Sequence, residues 1–383
     1  MRSVLLVVAA GAVGVIGWSG DPRTLPVAVV FPALWGHSPS RRTAAAVAAA
    51  YFFAASRGLP QGVATFYGAS VLLGASLWIG AALAFVGVHA GLWSRRPGWG
   101  RAVRYGIAAL LMAVPPLGIV GWAHPITAAG VLFPTWGWWG LAATAAIMFA
   151  ATTRGWTVAL IVLACLWCWS AVTWTEPQQP EGWTGLDLRL GSVLGRESGI
   201  EQHLALIGIV RAAVAEGARV VVLPENALGF WTPAVEELWR SRLQGFDATV
   251  VAGATVVRSD GYDNVMVAID PDGARVVHRQ QMPVPVSMWQ PWRAWIGESG
   301  GARADLFGEP VAMVGGRRIA PLVCYEQLLV WPVLQSMAHR PDLVVAIGNG
   351  WWTAGTNVAA IQKASSAAWA RLFGLPLVVS FNL

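Results

Sequence analysis

Two long stretches of this sequence carry almost no charge, and they limit what the chain can fold into. Residues 43–92 contain a single charged side chain, Arg57, and residues 105–153 contain none. Only 12% of the chain is charged, whereas an ordinary soluble domain has about a quarter charged residues. From Asp187 onward charges recur every few residues. The sequence therefore predicts an apolar half, residues 1–175, and a water-facing half, residues 184–383, joined by a linker at 176–183.

The apolar half predicts a bundle of transmembrane helices. A helix needs about 20 mostly apolar residues to cross a bilayer, and roughly seven segments qualify when two short ones are counted. The first of them follows Arg2 and resembles a signal peptide, but further apolar segments follow it, so we expect it to be retained. The expected spans are residues 4–18, 25–35, 44–55, 64–93, 105–122, 126–151 and 156–174.

The arginines between these segments predict an orientation. With about seven spans, the arginine-rich loops all fall on one side, and positively charged loops stay in the cytoplasm. The chain is then a multi-pass protein of the bacterial inner membrane whose aqueous domain lies on the periplasmic side. Omitting either short span reverses this orientation. The arginines in question are Arg2, Arg41, Arg42, Arg95, Arg96, Arg101, Arg104 and Arg154.

Several kinds of binding site are not indicated by the sequence. The net charge of +6 comes with no basic strip of interleaved aromatic residues in the second half, so nucleic acid is not an expected partner. The three cysteines make no disulfide framework. Cys165 and Cys168 lie in one apolar helix with no further ligand nearby, which favours packing over a metal site. No metal and no cofactor are expected.

The second half alternates predicted strands with predicted helices, which is typical of a layered α/β domain. The segment at 219–223 is rich in valine, as expected for a strand buried on both faces. Strands are predicted at residues 187–193, 219–223, 248–254, 265–269, 319–324, 343–347 and 376–381, and helices at 201–216 and 358–372.

Two of the predicted strands end in side chains that can do chemistry. Glu225 follows the strand at 219–223, and Cys324 ends the strand at 319–324. A cysteine nucleophile needs a base, and a carboxylate in an apolar site can serve because burial raises its pKa. We expect the two residues on adjacent strands of one sheet. Taken alone, each is more often structural: a small buried thiol, or an acid that caps a helix.

The motifs around these residues resemble the carbon–nitrogen hydrolase, or nitrilase, superfamily. They are Pro224-Glu225-Asn226-Ala227, Tyr262-Asp263-Asn264-Val265, Val284-Pro285, Cys324-Tyr325-Glu326 and Asn349-Gly350-Trp351-Trp352, followed by a helix at 362–371. The sequence looks most like the membrane-bound branch typified by apolipoprotein N-acyltransferase. The stretch at 282–291 is also similar to the TraB family of conjugal transfer proteins. The resemblance implies a helical bundle followed by an αββα nitrilase-like domain.

The resemblance also implies roles for individual residues. Glu225 would be the general base, Cys324 the nucleophile and Glu326 the second acid beside it. The backbone N–H of the residue after the cysteine would donate to the oxyanion. The implied chemistry is attack on an acyl carbon, formation of a thioester, and transfer of the acyl group to an amine or water. The residues expected to contact substrate are Tyr325, Trp351 and Trp352.

Three features depart from the family pattern. Gln280 stands four residues before Val284-Pro285, where the family has its catalytic lysine. An amide dipole replaces a full positive charge there, and losing one oxyanion donor costs about 100–1000-fold in rate. Arg279 is expected to face away from position 280, since neighbouring residues of a strand alternate. The acyltransferase's acid falls on Met288. Because the chain stops at Leu383, we expect the sheet to lack its last strands.

Two functions remain open. One is a membrane amidase or acyltransferase that uses Glu225 and Cys324 on a phospholipid or lipoprotein. The other is an accessory membrane protein of plasmid conjugation, with weak or no turnover, that binds a lipid or a protein of the conjugation machinery. The replaced lysine favours the accessory protein, and the retained Glu-Cys-Glu set favours the enzyme. A transporter is not favoured, because the long spans contain no acid and no lysine.

Overall fold

The apolar first half folds into helices, and glycine and proline determine where several of them end. The computed structural model describes residues 1–120, 122–192 and 199–383 of the protein. One helix ends at Tyr67 because Gly68 follows with a φ of +57°, the left-handed conformation that favours glycine. Another ends at Ala113, just ahead of Pro115 and Pro116, because proline lacks the N–H that would continue the helix.

The helices of the described chain are α1 (Arg2–Gly17), α2 (Phe31–Gly36), α3 (Arg41–Ala55), α4 (Leu59–Tyr67), α5 (Val71–Leu92), α6 (Trp99–Ala113), α7 (Ala129–Leu132), α8 (Gly137–Ala151), α9 (Trp156–Val172), α10 (Ile200–Ala215), α11 (Pro233–Leu243), α12 (Val330–Ala338) and α13 (Val358–Phe373). Short 3₁₀ helices lie at Pro22–Val30, Leu117–Ile119 and Pro125–Ala128 in the first half.

The predicted fold class, which began with a multi-span transmembrane bundle, is wrong. Among the described residues, α5 is the one helix that is long and apolar enough to cross a membrane, by length and composition. Helices α1, α8 and α9 have 16, 15 and 17 residues. Even 17 residues rise only about 26 Å, less than a hydrocarbon core of about 30 Å. The periplasmic orientation depended on a count of seven spans and is therefore not supported.

The described chain divides into two compact units. The first comprises Met1–Pro177, Leu328–Trp331 and Gly355–Leu375, and the second comprises Gln178–Gln327, Pro332–Ala354 and Pro376–Leu383. The domain bounds predicted from the sequence, 1–175 and 184–383 with a linker between them, stay a prediction.

The first unit has a core of aromatic side chains joined by hydrogen bonds. Trp18 donates from Nε1 to the hydroxyl of Tyr51 at 2.9 Å, and this hydroxyl donates to the carbonyl of Ala123 at 2.9 Å. Helix α13 packs in the same unit against α7, where Gly130 lies directly on the Ala368 carbonyl with no room for a Cβ. A larger residue at position 130 would force these two helices apart.

The second unit contains two sheets. The first has five strands in the order β1 (Trp183–Gly185), β2 (Val220–Val222), β3 (Thr249–Arg258), β4 (Gly261–Asp270) and β5 (Gly273–Arg279). The second has four strands in the order β6 (Ala312–Val314), β7 (Arg317–Val323), β8 (Leu343–Asn349) and β9 (Leu377–Asn382). Parallel pairing joins β1 to β2 to β3 and β7 to β8 to β9, and the other pairs are antiparallel.

Alternation of side chains along the strands divides the core of the second unit into two layers. In β3, Val250 and Ala252 pack with residues of α10 and α11, whereas Val251 packs with residues of the second sheet. This is the period of two that a strand with both faces buried requires. The layers therefore run from helices to the first sheet to the second sheet, and the ends of β2 and β7 meet within the sandwich.

Most predicted strands overlap observed ones, and β1, β5 and β6 are additional to them. The prediction at 187–193 is wrong over its described part, which forms only an isolated bridge between Leu188 and Asn382. Val193 lies outside the described residues. The expected placement of Glu225 and Cys324 on adjacent strands of one sheet is also wrong, because β2 belongs to the first sheet and β7 to the second.

Candidate active site

Glu225 is held where the chain leaves β2. The Gly253 N–H donates to the Pro224 carbonyl at 3.1 Å, and the Leu228 N–H donates to the Gly253 carbonyl at 3.1 Å. Gly253 approaches so closely that a Cβ there would clash with the Cα of Glu225. Only glycine leaves enough space for this contact, which packs the turn at Pro224-Glu225 directly against β3. As a result the carboxyl group of Glu225 points into the protein, and the residue is 3% exposed.

Burial determines the acidity of this carboxyl. Removal from water raises the pKa of Glu225 from 4.5 to about 7. Hydrogen bonds from the Asn264 amide, the Cys324 thiol and the Asn349 backbone hold the pKa down in part, and the charge of Glu326 raises it further. A carboxyl group with a pKa near 7 can both accept and return a proton at neutral pH, as a general base must.

Cys324 lies immediately after β7, as the first residue of the 3₁₀ helix Cys324–Leu328. Its φ is +51°, in the left-handed region that residues with a side chain rarely adopt. Such strain persists only where the surrounding structure enforces it, and it is common at functional sites. Cys324 is 6% exposed, and its thiol hydrogen-bonds to the Glu225 carboxyl. The structure therefore brings together the two residues that the sequence singled out.

Gln280 follows β5 and lies in the same cluster, 2% exposed. It accepts at Oε1 from Asn264 Nδ2 at 2.9 Å and donates from Nε2 to the Val323 carbonyl at 3.1 Å. Arg279 lies on the other side of the strand and pairs with Asp263. This alternation was expected, and it leaves the neutral amide of Gln280 at the site instead of a guanidinium group.

Glu326 is fully buried and accepts hydrogen bonds from three backbone N–H groups. Oε1 accepts from Gln281 at 2.6 Å and Met282 at 3.2 Å, and Oε2 accepts from Val323 at 2.8 Å. The ring of His278 lies 3.5 Å from Oε2. The carboxylate thus joins the segment after β5 to the end of β7. This geometry makes Glu326 a positioning residue for the turn that carries Cys324.

The residues predicted to bind substrate have less distinctive surroundings. Tyr325 is buried beside Cys324, and burial raises the pKa of its hydroxyl well above the ordinary value. Trp351 and Trp352 form a 3₁₀ turn with Thr353 after β8, and both are half-buried. Met288 is half-buried in the segment after Val284-Pro285. Substrate contact by Tyr325, Trp351 and Trp352 stays a prediction.

Asn264 is a member of the site to which the sequence assigned no role. Its Nδ2 donates to Glu225 Oε1 at 2.7 Å as well as to Gln280. A signal for it exists in the sequence: along β4, Asn264 shares a face with Met266 and Ala268, which pack in the layer between the two sheets. A polar side chain on that buried face needs partners. Among the described residues, no cluster of His, Cys, Asp and Glu is suited to hold a metal ion.

The chain is similar to known proteins over most of its length. A family model described as carbon-nitrogen hydrolase matches residues 53–371. The chain is 56% identical to a probable conjugal transfer protein TraB of Sinorhizobium fredii, covering 99% of this chain and 97% of that protein. It is 54% identical to the conjugal transfer protein TraB of Agrobacterium fabrum, covering 100% of this chain and 93% of that protein.

Among solved structures, a mutant nitrilase-superfamily amidase of Nesterenkonia matches with a TM-score of 0.37 and 17% identity, covering 53% of this chain and 78% of that chain. The family match at residues 53–371 begins within α3 and includes the later helices of the first half. This is a second reason why the predicted fold class is wrong, since that fold class placed a separate helical bundle ahead of the hydrolase domain.

Proposed function

Because this chain belongs to the carbon–nitrogen hydrolase family, we propose that it transfers acyl groups through Cys324, with Glu225 as the general base. The observation that carries the proposal is the hydrogen bond between the Cys324 thiol and the buried Glu225 carboxyl, whose pKa is about 7. A base with this pKa can take the thiol proton at neutral pH. We further propose that the activity serves plasmid conjugal transfer, because both TraB relatives are named as conjugal transfer proteins.

The proposed reaction has two stages. Glu225 accepts the thiol proton as the Cys324 sulfur attacks an acyl carbon, and it returns this proton to the leaving group when the tetrahedral intermediate collapses to a thioester. An amine or water then attacks the thioester carbon, and its proton passes to Glu225. When this second tetrahedral intermediate collapses, the carbon–sulfur bond breaks, the acylated product leaves, and Glu225 returns the proton to the Cys324 sulfur. The backbone N–H of Tyr325 stabilises the oxyanion in both stages. Gln280 supplies no charge to that oxyanion, so turnover is slow compared with an enzyme that has a lysine there.

We propose that the acyl donor is a phospholipid or a lipoprotein at a membrane surface. This rests on α5, a helix of 22 residues with exposed apolar side chains that include Leu72, Ile79 and Leu83. We expect the full chain to sediment with membranes and to resist alkaline carbonate. Replacing Ile79 and Leu83 by arginine should reduce this retention, because each charge at the centre of a span costs about 2.5–3.5 kcal/mol. Val257→Arg, at an exposed position of β3, is the control.

The enzymatic proposal is tested with a thiol-reactive acyl probe. Cys165 and Cys168 are exposed free thiols, so both are first changed to serine. In that background, Cys324 should be acylated, and Cys324→Ser should abolish the acylation. Glu225→Gln should slow it without removing the thiol. Acylation that persists in Cys324→Ser would contradict the proposed nucleophile.

The second candidate function is an accessory conjugation protein with an inert site, and the observation that favours it is Gln280. In that case Cys324 would resist acylation in the otherwise unchanged chain, while copurification with other conjugation proteins would survive Cys324→Ser. Faster labelling of Cys324 than of a cysteine in an unfolded control would exclude this alternative.

A further inference from the structure

Two buried acceptor atoms in the candidate site have no hydrogen-bond partner among the described residues. They are Oε2 of Glu225 and Oδ1 of Asn264. The Cys324 thiol and the Asn349 N–H also act on the carboxyl, but neither completes a hydrogen bond of good geometry to Oε2. Buried polar atoms without a partner are rare, and each calls for an explanation.

The orientation of the Asn264 amide is determined by its surroundings. Its Nδ2 donates to two oxygens, Glu225 Oε1 at 2.7 Å and Gln280 Oε1 at 2.9 Å. Turning the amide over would bring Oδ1 against both oxygens, so Oδ1 must be the atom that faces away from them. The unpartnered Oδ1 is therefore an acceptor, like the unpartnered oxygen of Glu225. Both need a donor.

The cluster also lacks a positive charge. Glu225, Asn264 and Gln280 carry no positive charge, and the described groups that act on the pKa of Glu225 include no cation. Gln280 does not fill the need, because its Nε2 donates to the Val323 carbonyl. A buried carboxylate without a cation is costly, which agrees with the raised pKa of Glu225.

We propose that the cluster of Glu225, Asn264 and Gln280 is a binding site for a cationic ligand group with N–H donors, an ammonium or guanidinium group. The group donates to Oε2 of Glu225 and Oδ1 of Asn264 and supplies the charge that position 280 lacks. Bound there, it stabilises the thiolate of Cys324 and the carboxylate of Glu225 together. The activating part of the inference rests on the proposed function, while the binding part does not.

The test uses the full chain with Cys165 and Cys168 replaced by serine. Methylammonium chloride is the ligand, and tetramethylammonium chloride, which has the same charge and no N–H, is the control at equal ionic strength. Methylammonium should raise the unfolding temperature with saturation, and tetramethylammonium should not. Methylammonium should also speed alkylation of Cys324 by iodoacetamide at pH 7, by about tenfold if the thiol pKa falls by one unit.

A lysine at position 280 carries an ammonium group on the chain itself and so provides the variant to compare with added methylammonium. Gln280→Lys should label quickly without added amine and should lose the response to methylammonium. If Cys324 labels but neither its rate nor the unfolding temperature responds to methylammonium, the cation site is wrong and the proposed function stands. If methylammonium stabilises the chain while Cys324 stays inert under every condition, the site stands and the proposed function is wrong. Equal responses to both salts would also overturn the site.

Discussion

Gln280 donates a hydrogen bond of 3.1 Å from its Nε2 to the carbonyl oxygen of Val323, which is the residue directly before Cys324. This bond attaches the end of β5 in the first sheet to the end of β7 in the second. It also places a neutral amide beside the proposed nucleophile, at the position where the resemblance to the family implies a lysine. Whether the site is an active enzyme therefore depends mainly on what supplies positive charge there.

The first prediction is that Gln280→Lys speeds labelling of Cys324. A nearby ammonium favours the thiolate, and one unit of thiol pKa corresponds to about tenfold more thiolate at neutral pH. The measurement is the rate of iodoacetamide labelling at pH 7, followed by mass spectrometry. Arg279→Ala is the control, and it should leave the rate unchanged because Arg279 pairs with Asp263. If Gln280→Lys leaves the labelling rate unchanged and Arg279→Ala abolishes labelling, position 279 holds the functional charge.

The second prediction concerns the pH dependence of the same labelling. Glu225 must be ionised to accept the thiol proton, and burial raises its pKa to about 7. The labelling rate should therefore rise through about pH 7 and level off above it. In Glu225→Gln this rise should disappear, and the rate at pH 8 should fall about 100-fold, as for loss of a general base. A profile that is the same in both proteins would remove Glu225 from the reaction.

The third prediction is a change of stability with pH. Between pH 4.5, the ordinary pKa, and about 7, the folded protein binds more protons at Glu225 than the unfolded chain does. The free energy of unfolding should therefore fall as the pH rises through this window, by roughly 3 kcal/mol from this group. Glu225→Gln removes this contribution. In chemical denaturation, the free energy of unfolding of the variant should therefore rise relative to that of the original protein between pH 4.5 and 7. A constant difference would contradict the raised pKa.

The fourth prediction concerns the glycine that positions Glu225. Gly253→Ala places a Cβ against Glu225 and should lower the free energy of unfolding by about 1–3 kcal/mol. It should also slow Cys324 labelling, because Glu225 is displaced. Gly208→Ala is the matched control: nothing lies within 4 Å of its Cβ position on α10. Alanine there should stabilise the helix by about 0.5–1 kcal/mol. Equal effects of both changes would show that the close contact at Gly253 is unimportant.

The fifth prediction is that replacing the buried Glu326 has a larger effect than replacing a surface acid. Glu326 accepts from the backbone N–H groups of Gln281, Met282 and Val323. Glu326→Gln should lower the free energy of unfolding by about 1.5–3 kcal/mol and slow Cys324 labelling, because the NH₂ group of the glutamine amide would face backbone N–H groups that need an acceptor. Glu237→Gln breaks an exposed ion pair with Arg240 and should cost less than about 1 kcal/mol with no effect on labelling. Full labelling in Glu326→Gln would show that the turn at Cys324 does not need this carboxylate.

Local patterns were enough to predict many of the helices and strands in the second half of the sequence. The predicted helix at 358–372 corresponds to α13, and the strand at 319–324 corresponds to β7, because period and β-branching act over a few residues. Apolar composition was a poorer guide in the first half. Apolar composition indicates what a segment packs against, but it does not show where a helix is broken. The predicted span at 64–93, for example, is interrupted at Gly68. The sequence therefore predicted more spans than the described helices are long enough to form.

The sequence by itself determined which residues have useful chemistry: a carboxylate and a thiol at strand ends, and a glutamine in place of lysine. Only the tertiary structure decided how they meet. Glu225 and Cys324 come from different sheets, and their contact, the pKa of Glu225 and the unpartnered Oδ1 of Asn264 arise from pairing between segments that are far apart in the chain. Such pairing depends on how whole faces of the two sheets pack, and no local pattern encodes that.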